Sequence, residues 1–368
     1  MKRVLAILLA MTMALSLAAC GGAPAAGKGD SFELALITDI GTIDDKSFNQ
    51  GSWEGLEKYA LEKKITHKYY KPTEKSTDAY LSAIELAVKG GAKVIVTPGF
   101  LFEEPIFIAQ DQYPNVKFVI IDTDGGPHDA DYKNFKTGEN TVGIAFAEEQ
   151  AGFLAGYAAV KDGYTKFGFL GGMAVPAVVR FGYGYVQGVE YAAKELGLKD
   201  VLMNYHYTGG FDATPEAQTL CASWYNDGVE VIFGCGGAVG NSAMAAATQA
   251  NGKVIGVDVD QSGESPTVIT SSTKGLGESV YQVLDQYYSG KFPGGQHLIL
   301  NAANNGVGLP MATSKFQKFS KADYDAIYDK LVKDTDGIAS GIVKVFTDDA
   351  AKDFAGMSLV ATKVNVVK

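Results

Sequence analysis

The sequence predicts an α/β protein of two doubly wound lobes, each a parallel sheet with helices on both faces. Three observations predict it. Short β-branched runs alternate with amphipathic stretches almost without interruption, and that alternation requires parallel strands joined by crossover helices. The order of parts repeats: "GGAKVIVTPGF", a helix and "KFVIIDTD" in the first half correspond to "DGVEVIFGCGG", a helix and "GKVIGVDVD" in the second. The chain of 368 residues, 46% hydrophobic with a mean hydropathy of +0.02, has the length for two domains and the composition of a globular protein.

In chain order, Lys2 and Arg3 precede an apolar run from Val4 to Leu17 that is too short to span a bilayer as a mature helix. "LSLAAC" sets small residues directly before Cys20, the pattern of bacterial lipoprotein signals, in which cleavage leaves the cysteine as the lipid-bearing first residue. A signal peptide without lipid is the alternative. Residues 1–20 are therefore expected to be a signal peptide, and 21–31, opening "GGAPAAGKGD", a flexible linker. Several acyl chains hold a protein on a membrane surface without a span.

"FELALIT" reads as the first strand. Thr42 to Ala60, "TIDDKSFNQGSWEGLEKYA", is a helix with Asp45 as its N-cap and Trp53, Leu56 and Ala60 on one buried stripe. At about 100° per residue, Phe48 points away from that stripe, so a neighbouring loop or a ligand must cover it. A helix over Asp78–Lys89 leads to the strand "AKVIVT", and "KFVIID" follows, ending at Asp122. Glu148–Lys161, "TKFGFLGG", Pro176–Leu196, Ala213–Asn226, "VEVIFG", Ala238–Ala250, "KVIGVD", "PTVITSS" and Leu276–Ser289 complete the alternation. Pro176 suits a first helical turn, with Val178, Tyr185, Val189, Ala192 and Leu196 as the buried stripe. Phe181 lies at the edge of that stripe, between Arg180 and the glycines 182 and 184, and reads as core or as a cleft residue. Two polar helices, "KADYDAIYDKLVKD" and "DDAAKDF", end the chain as an elaboration of the second lobe.

The halves place Asp122 and Asp258 at the carboxyl ends of strands, where doubly wound sheets bind ligands; either residue also suits a turn. Lys274 opens a helix just past a strand end, against the macrodipole, and requires a compensating partner: water, a ribose hydroxyl pair or a carboxylate such as Asp258. Crossings between lobes are expected near residues 141, 263 and 292. They divide the chain into a first lobe of 32–141 plus 264–292 and a second of 142–263 plus 293–368.

Composition and motifs exclude several classes. A formal charge of −10 argues against a nucleic-acid binder. Four histidines, His67, His128, His206 and His297, have no zinc spacing and read as surface or loop residues. Cys221 and Cys235 match no metal motif and are open to a disulfide or to two buried thiols. "GCGGAVG" follows a strand, but Val239 stands where a dinucleotide fingerprint needs its third glycine; a longer-spaced variant through Gly240 would use Asp258 as its acid. A glycine turn that lets a ligand approach the backbone is the other reading. A hydrolase would need a metal cluster or activated nucleophile, and the pairs Asp44/Asp45 and Asp258/Asp260 supply neither.

"TDIGTIDDKSFNQGSWEGL", "VIIDTD", "GGMAVPAVVRFGYGYVQG", "IGVDVDQ" and "TSSTKG", in this order behind the lipobox, resemble the basic membrane protein lipoproteins, purine nucleoside receptors that feed ATP-binding-cassette importers. The resemblance runs from the signal to about Gly308. It implies a type I periplasmic-binding-protein fold: two α/β lobes joined by a three-segment hinge, with a nucleoside such as inosine, guanosine or adenosine held between them. By motif, Phe48 and Phe181 would stack on the two faces of the base, Asn49 and Asp122 would bond its edge, and Asp258 and Lys274 would hold the ribose. Asp39 would serve the sugar side, and Gly236 would line the cleft through its backbone. The resemblance further implies a monomer without cofactor, metal or enzymatic activity. It would be anchored through Cys20 on the extracytoplasmic face of the membrane, beside an ABC permease. A sugar receptor of the same fold is the nearest alternative.

Overall fold

The computed structural model describes residues 31–344, 354 and 356–367. The signal with Cys20, the linker up to residue 30 and the "DDAAKDF" segment apart from Phe354 lie outside the described residues.

Two sheets form the framework. The first contains β1 (Leu34–Ile37), β2 (His67–Tyr70), β3 (Val94–Pro98), β4 (Lys117–Ile121), β5 (Thr141–Phe146) and β11 (His297–Leu300), all parallel, in the order β2-β1-β3-β4-β5-β11. The second contains β6 (Lys166–Gly171), β7 (Val201–Tyr207), β8 (Val231–Cys235), β9 (Lys253–Asp258), β10 (Val268–Lys274), β12 (Val307–Gly308) and β13 (Thr362–Val366), in the order β13-β7-β6-β8-β9-β10-β12. Only β12 runs antiparallel to its neighbour. Five successive strands take the same doubly wound order in each sheet, the architectural form of the internal repeat. Central strands such as β1 and β3 are buried along their whole length because helices cover both faces. The edge strand β2, "HKYY", is half exposed and polar, so it lacks the apolar run by which its neighbours are legible.

The helices are α1 (Phe48–Lys63), α2 (Thr77–Lys89), α3 (Glu103–Gln112), α4 (Glu148–Asp162), α5 (Pro176–Glu195), α6 (Pro215–Asn226), α7 (Val239–Ala250), α8 (Leu276–Tyr288) and α9 (Lys321–Val332). Two of them change lobe: α4 leaves β5 of the first sheet and packs on α5, and α8 leaves β10 of the second sheet and packs on α1. The crossings therefore fall later than the strand-and-turn reading places them, between Phe146 and Glu148, at Gly275, and between Leu300 and Val307. The expected boundaries near 141, 263 and 292 fall at the start of β5 and before β10 and β11, whose ladder bonds fix their lobe; hydrophobicity alone does not carry that information.

Glycine governs the α4–α5 crossing. A Cβ on Gly152, Gly156, Gly184 or Gly188 would lie between 2.0 and 2.3 Å from a carbonyl oxygen of the facing helix. Bare backbone thus lets the helices touch, which fixes α5 on the hinge end of α4. Leu196, expected on the α5 stripe, is the helix's C-cap and is exposed. Glu190 of α5 accepts the amides of Val360, Ala361 and Thr362, fastening β13 beside β7 so that the tail completes the second lobe. Cys221 and Cys235 are buried free thiols, and no disulfide joins them.

Candidate ligand-binding cleft

The carboxyl ends of both sheets face a cavity of about 330 Å³ between the lobes. That volume is at the lower end of the roughly 300–1,000 Å³ usual for small-molecule sites. The first lobe lines it with Asp39, Phe48, Asn49, Phe100 and Asp122; the second with Phe181, Phe211, Gly236, Asp258 and Lys274. All eight residues singled out by sequence border this one cavity.

Phe48 opens α1, half buried, with its ring centroid 4.6 Å from the Lys274 ammonium. Phe181 lies one and a half turns into α5, its ring 5.5 Å from the same ammonium and edge-on to Phe233 at 6.0 Å. Two rings from opposite lobes thus flank one charge. Phe181 is at once core, with 1% exposure, and cleft lining, which reconciles the two readings its sequence position allows.

The helix start differs from expectation in one detail. Ser47 occupies the N-cap position without a side-chain cap, while the Asp45 carboxylate reaches forward to accept the amides of Ser47, Asn49 and Gln50. Asn49 spends both amide hydrogens inside the protein, on Asp39 and Asp45, and its oxygen accepts the Asp39 amide. Its role in the geometry is to orient Asp39.

Asp122 and Asp258 both adopt left-handed backbone conformations, φ 60° and 65°, which aspartate tolerates better than most residues. The matched turn brings both carboxylates back toward Lys274, whose ammonium donates to Asp122 at 2.5 Å and Glu148 at 3.3 Å and lies 3.8 Å from Asp258. Lys274 is thus already satisfied by carboxylates. Burial by itself would lower its pKa, but these neighbours outweigh that and hold it above the ordinary lysine value. Burial pushes Asp122 up to about 7, moderated by Lys274, and Asp39 up to about 6, moderated by the Gly41 amide and Asn49. Asp258 is also raised by burial, with Lys274 and the Ser47 hydroxyl opposing. The second oxygen of Asp122 is buried without a hydrogen-bond partner.

Behind Lys274, Glu148 at the start of α4 accepts from Arg180 Nε at 2.6 Å, and Arg180 Nη1 forks onto Asp124 of the first lobe at 2.7 and 2.6 Å. Burial works against the Glu148 charge, but Arg180 and Lys274 overcome it and keep its pKa below the ordinary value. Periodicity marks neither Glu148 nor Arg180, because a buried charge pair breaks the apolar stripe. Phe100 and Phe211 are also missed; Phe100 opens a short 3-10 turn after β3 and Phe211 sits in a loop after β7, and that position past a strand end is the one signal that reveals them. Gly236 adopts φ 130°, and a Cβ there would press on Phe211 and on the Gly172 amide, so its backbone faces the cavity bare. His128 lies in the loop between β4 and β5, as one of the two readings has it, but it is buried there, 4% exposed and paired with Glu103 at 3.1 Å.

Residues 32–346 match the family described as ABC transporter substrate-binding protein PnrA-like. The chain is 31% identical over 360 residues to the ABC transporter nucleoside-binding protein BmpA of Lactococcus lactis, covering 90% of this chain and 98% of that protein. It is 34% identical to basic membrane protein A of Borreliella burgdorferi, covering 76% and 78% of the two chains. The crystal structure of an ABC transporter solute-binding protein from Aeropyrum pernix superposes with a TM-score of 0.73 at 24% identity, over 87% of this chain and 95% of that one.

Proposed function

The chain belongs to the PnrA-like family of ABC transporter substrate-binding proteins; on that premise we propose that its cleft captures a purine nucleoside and presents it to a permease of the extracytoplasmic membrane face. As a solute-binding protein it is a non-catalytic carrier. The observation that carries the nucleoside reading is the pair of rings, Phe48 and Phe181, brought by opposite lobes to one cavity rimmed with carboxylates.

A flat heterocycle between the rings gains stacking from both faces, roughly 1–3 kcal/mol per aromatic. Polar choice falls to acceptors. The unpartnered oxygen of Asp122 suits a ring or exocyclic N–H, and Asp39 and Asp258 suit N–H or sugar O–H donors. A ligand lacking such a donor leaves a buried acceptor unsatisfied, at a cost of about 1–3 kcal/mol. Lys274 serves here as the counter-ion that offsets part of the burial cost of Asp122 and Asp258, and Asn49 holds Asp39 in place. A phosphate would meet carboxylates around an ammonium already spent on them, which favours nucleosides over nucleotides.

Capture follows from hinge closure. Contacts from both lobes exist together only in the closed form, so the ligand shifts the population toward it, and the permease reads that form. Titration calorimetry with inosine, guanosine, adenosine and ribose tests the reading. Nucleosides should bind without conversion and ribose far more weakly. Equal affinity for ribose would favour a sugar receptor, and release of free base a hydrolase.

A further inference from the structure

We infer that Gln261 is a positioning residue for capture: its side-chain amide, donated to the Lys46 carbonyl of the opposite lobe, is a latch that biases the lobes toward closure whatever fills the cleft. The inference rests on the closure mechanism above, not on the identity of the ligand.

Gln261 lies in the loop between β9 and β10 of the second sheet and is 1% exposed. Its own lobe fixes it. The side-chain oxygen accepts the Val257 amide at 3.0 Å, and the Gln261 amide donates to Ser271 Oγ at 3.0 Å. Gly256 leaves it room, since a Cβ there would lie 2.5 Å from the Gln261 oxygen. The remaining polar group, Nε2, donates 2.7 Å across the lobe boundary to Lys46.

The acceptor is equally constrained. Lys46 follows the first strand of the first lobe, takes φ 63° without being glycine, and gives its amide to Gln50 at 3.1 Å. Asp45 holds the next amide, that of Ser47, at 2.9 Å. Non-glycine residues in this conformation persist only where surroundings over-determine them. The turn aims one carbonyl at one amide. Beside it the Ser47 hydroxyl donates to Asp258 at 2.5 Å, and outside it Lys46 Nζ lies 3.7 Å from Glu264. Every partner in this seam is protein, so its free energy counts toward closure in the empty and the loaded protein alike.

The test is the lobe-to-lobe distance by pulsed electron resonance between nitroxides on the full chain. The labels are carried at the exposed positions Leu86 of the first lobe and Leu202 of the second. Gln261→Glu keeps the acceptor for Val257 and removes the donor toward Lys46; Gln261→Met removes both. Without added nucleoside, the ratio of short- to long-distance populations should fall about three- to tenfold in each variant relative to the wild type, the loss of one hydrogen bond. Ser47→Ala, which weakens the same seam from the other side, should act in the same direction. Identical distance distributions in the wild type and all folded variants overturn the inference. Failure of the nucleoside reading shows separately, as distances in the wild type that do not respond to inosine.

Discussion

Phe48 shows how much a single residue position can say. It stands about 100° off the stripe of Trp53, Leu56 and Ala60, and the structure turns it into the cleft. Phe48→Ala removes one stacking face and should weaken inosine binding at least about tenfold by calorimetry; unchanged affinity would exclude the sandwich. The acids make a second prediction. Asp39 and Asp122, ordinarily near 3.8, are raised to about 6 and about 7, so the folded protein keeps protons that the unfolded chain has released. Raised groups contribute stability that is complete below 3.8 and is lost as pH rises through the folded values. The unfolding temperature without added nucleoside should therefore climb as pH falls from about 8 to about 5.5, and Asp39→Asn should flatten the lower part of that rise. A melting temperature flat across the window in the wild type would contradict the burial of these acids. Sequence named Asp122 by its place at a strand end and Asp39 through the family resemblance. The protonation of Asp122 and the pairing of Lys274 with Glu148 depend on neighbours more than a hundred positions away.

At the scale of elements, the α4–α5 crossing is the feature on which the second lobe's ring depends. Gly184→Ala would gain about 1 kcal/mol of helix propensity in an isolated helix. Here the new methyl would sit 2.1 Å from the Glu149 carbonyl, and overpacking of this kind costs about 1–3 kcal/mol or more. Net destabilisation in chemical denaturation, with weaker inosine binding because Phe181 shifts with α5, is the expected outcome. A more stable variant would show that the helices can part at no cost. Most central strands and the long helices were legible because each carries an apolar run or stripe, but β5, "TVGIAF", was not: it is buried along its whole length, yet its start reads as a lobe crossing. The strands β2, β7, β11 and β13 were not: they are short, polar or partly exposed, and neighbouring ladder bonds decide their existence. Likewise, the sequence shows that α4 and α8 are helices but not that each packs on the lobe its preceding strand has left.

For the whole molecule, closure should be visible as a smaller radius of gyration in solution scattering when inosine is added. An unchanged radius despite binding would remove closure as the signal to the permease. Cys20→Ser should move the protein from the membrane fraction to the soluble fraction of its host, while persistence in the membrane would exclude the lipid as its anchor. By itself the sequence determined the fold class, the doubled plan and the cleft-facing residue types, because periodicity, strand-end aspartates and ordered motifs are local properties of the chain. Only the tertiary structure decided where the chain crosses between lobes. It also decided which carboxylates share Lys274, that Arg180 bridges Glu148 to Asp124, and that Gln261 reaches Lys46. These are pairings between residues distant in sequence, and their energies arise from burial and geometry that exist only once both sheets are assembled.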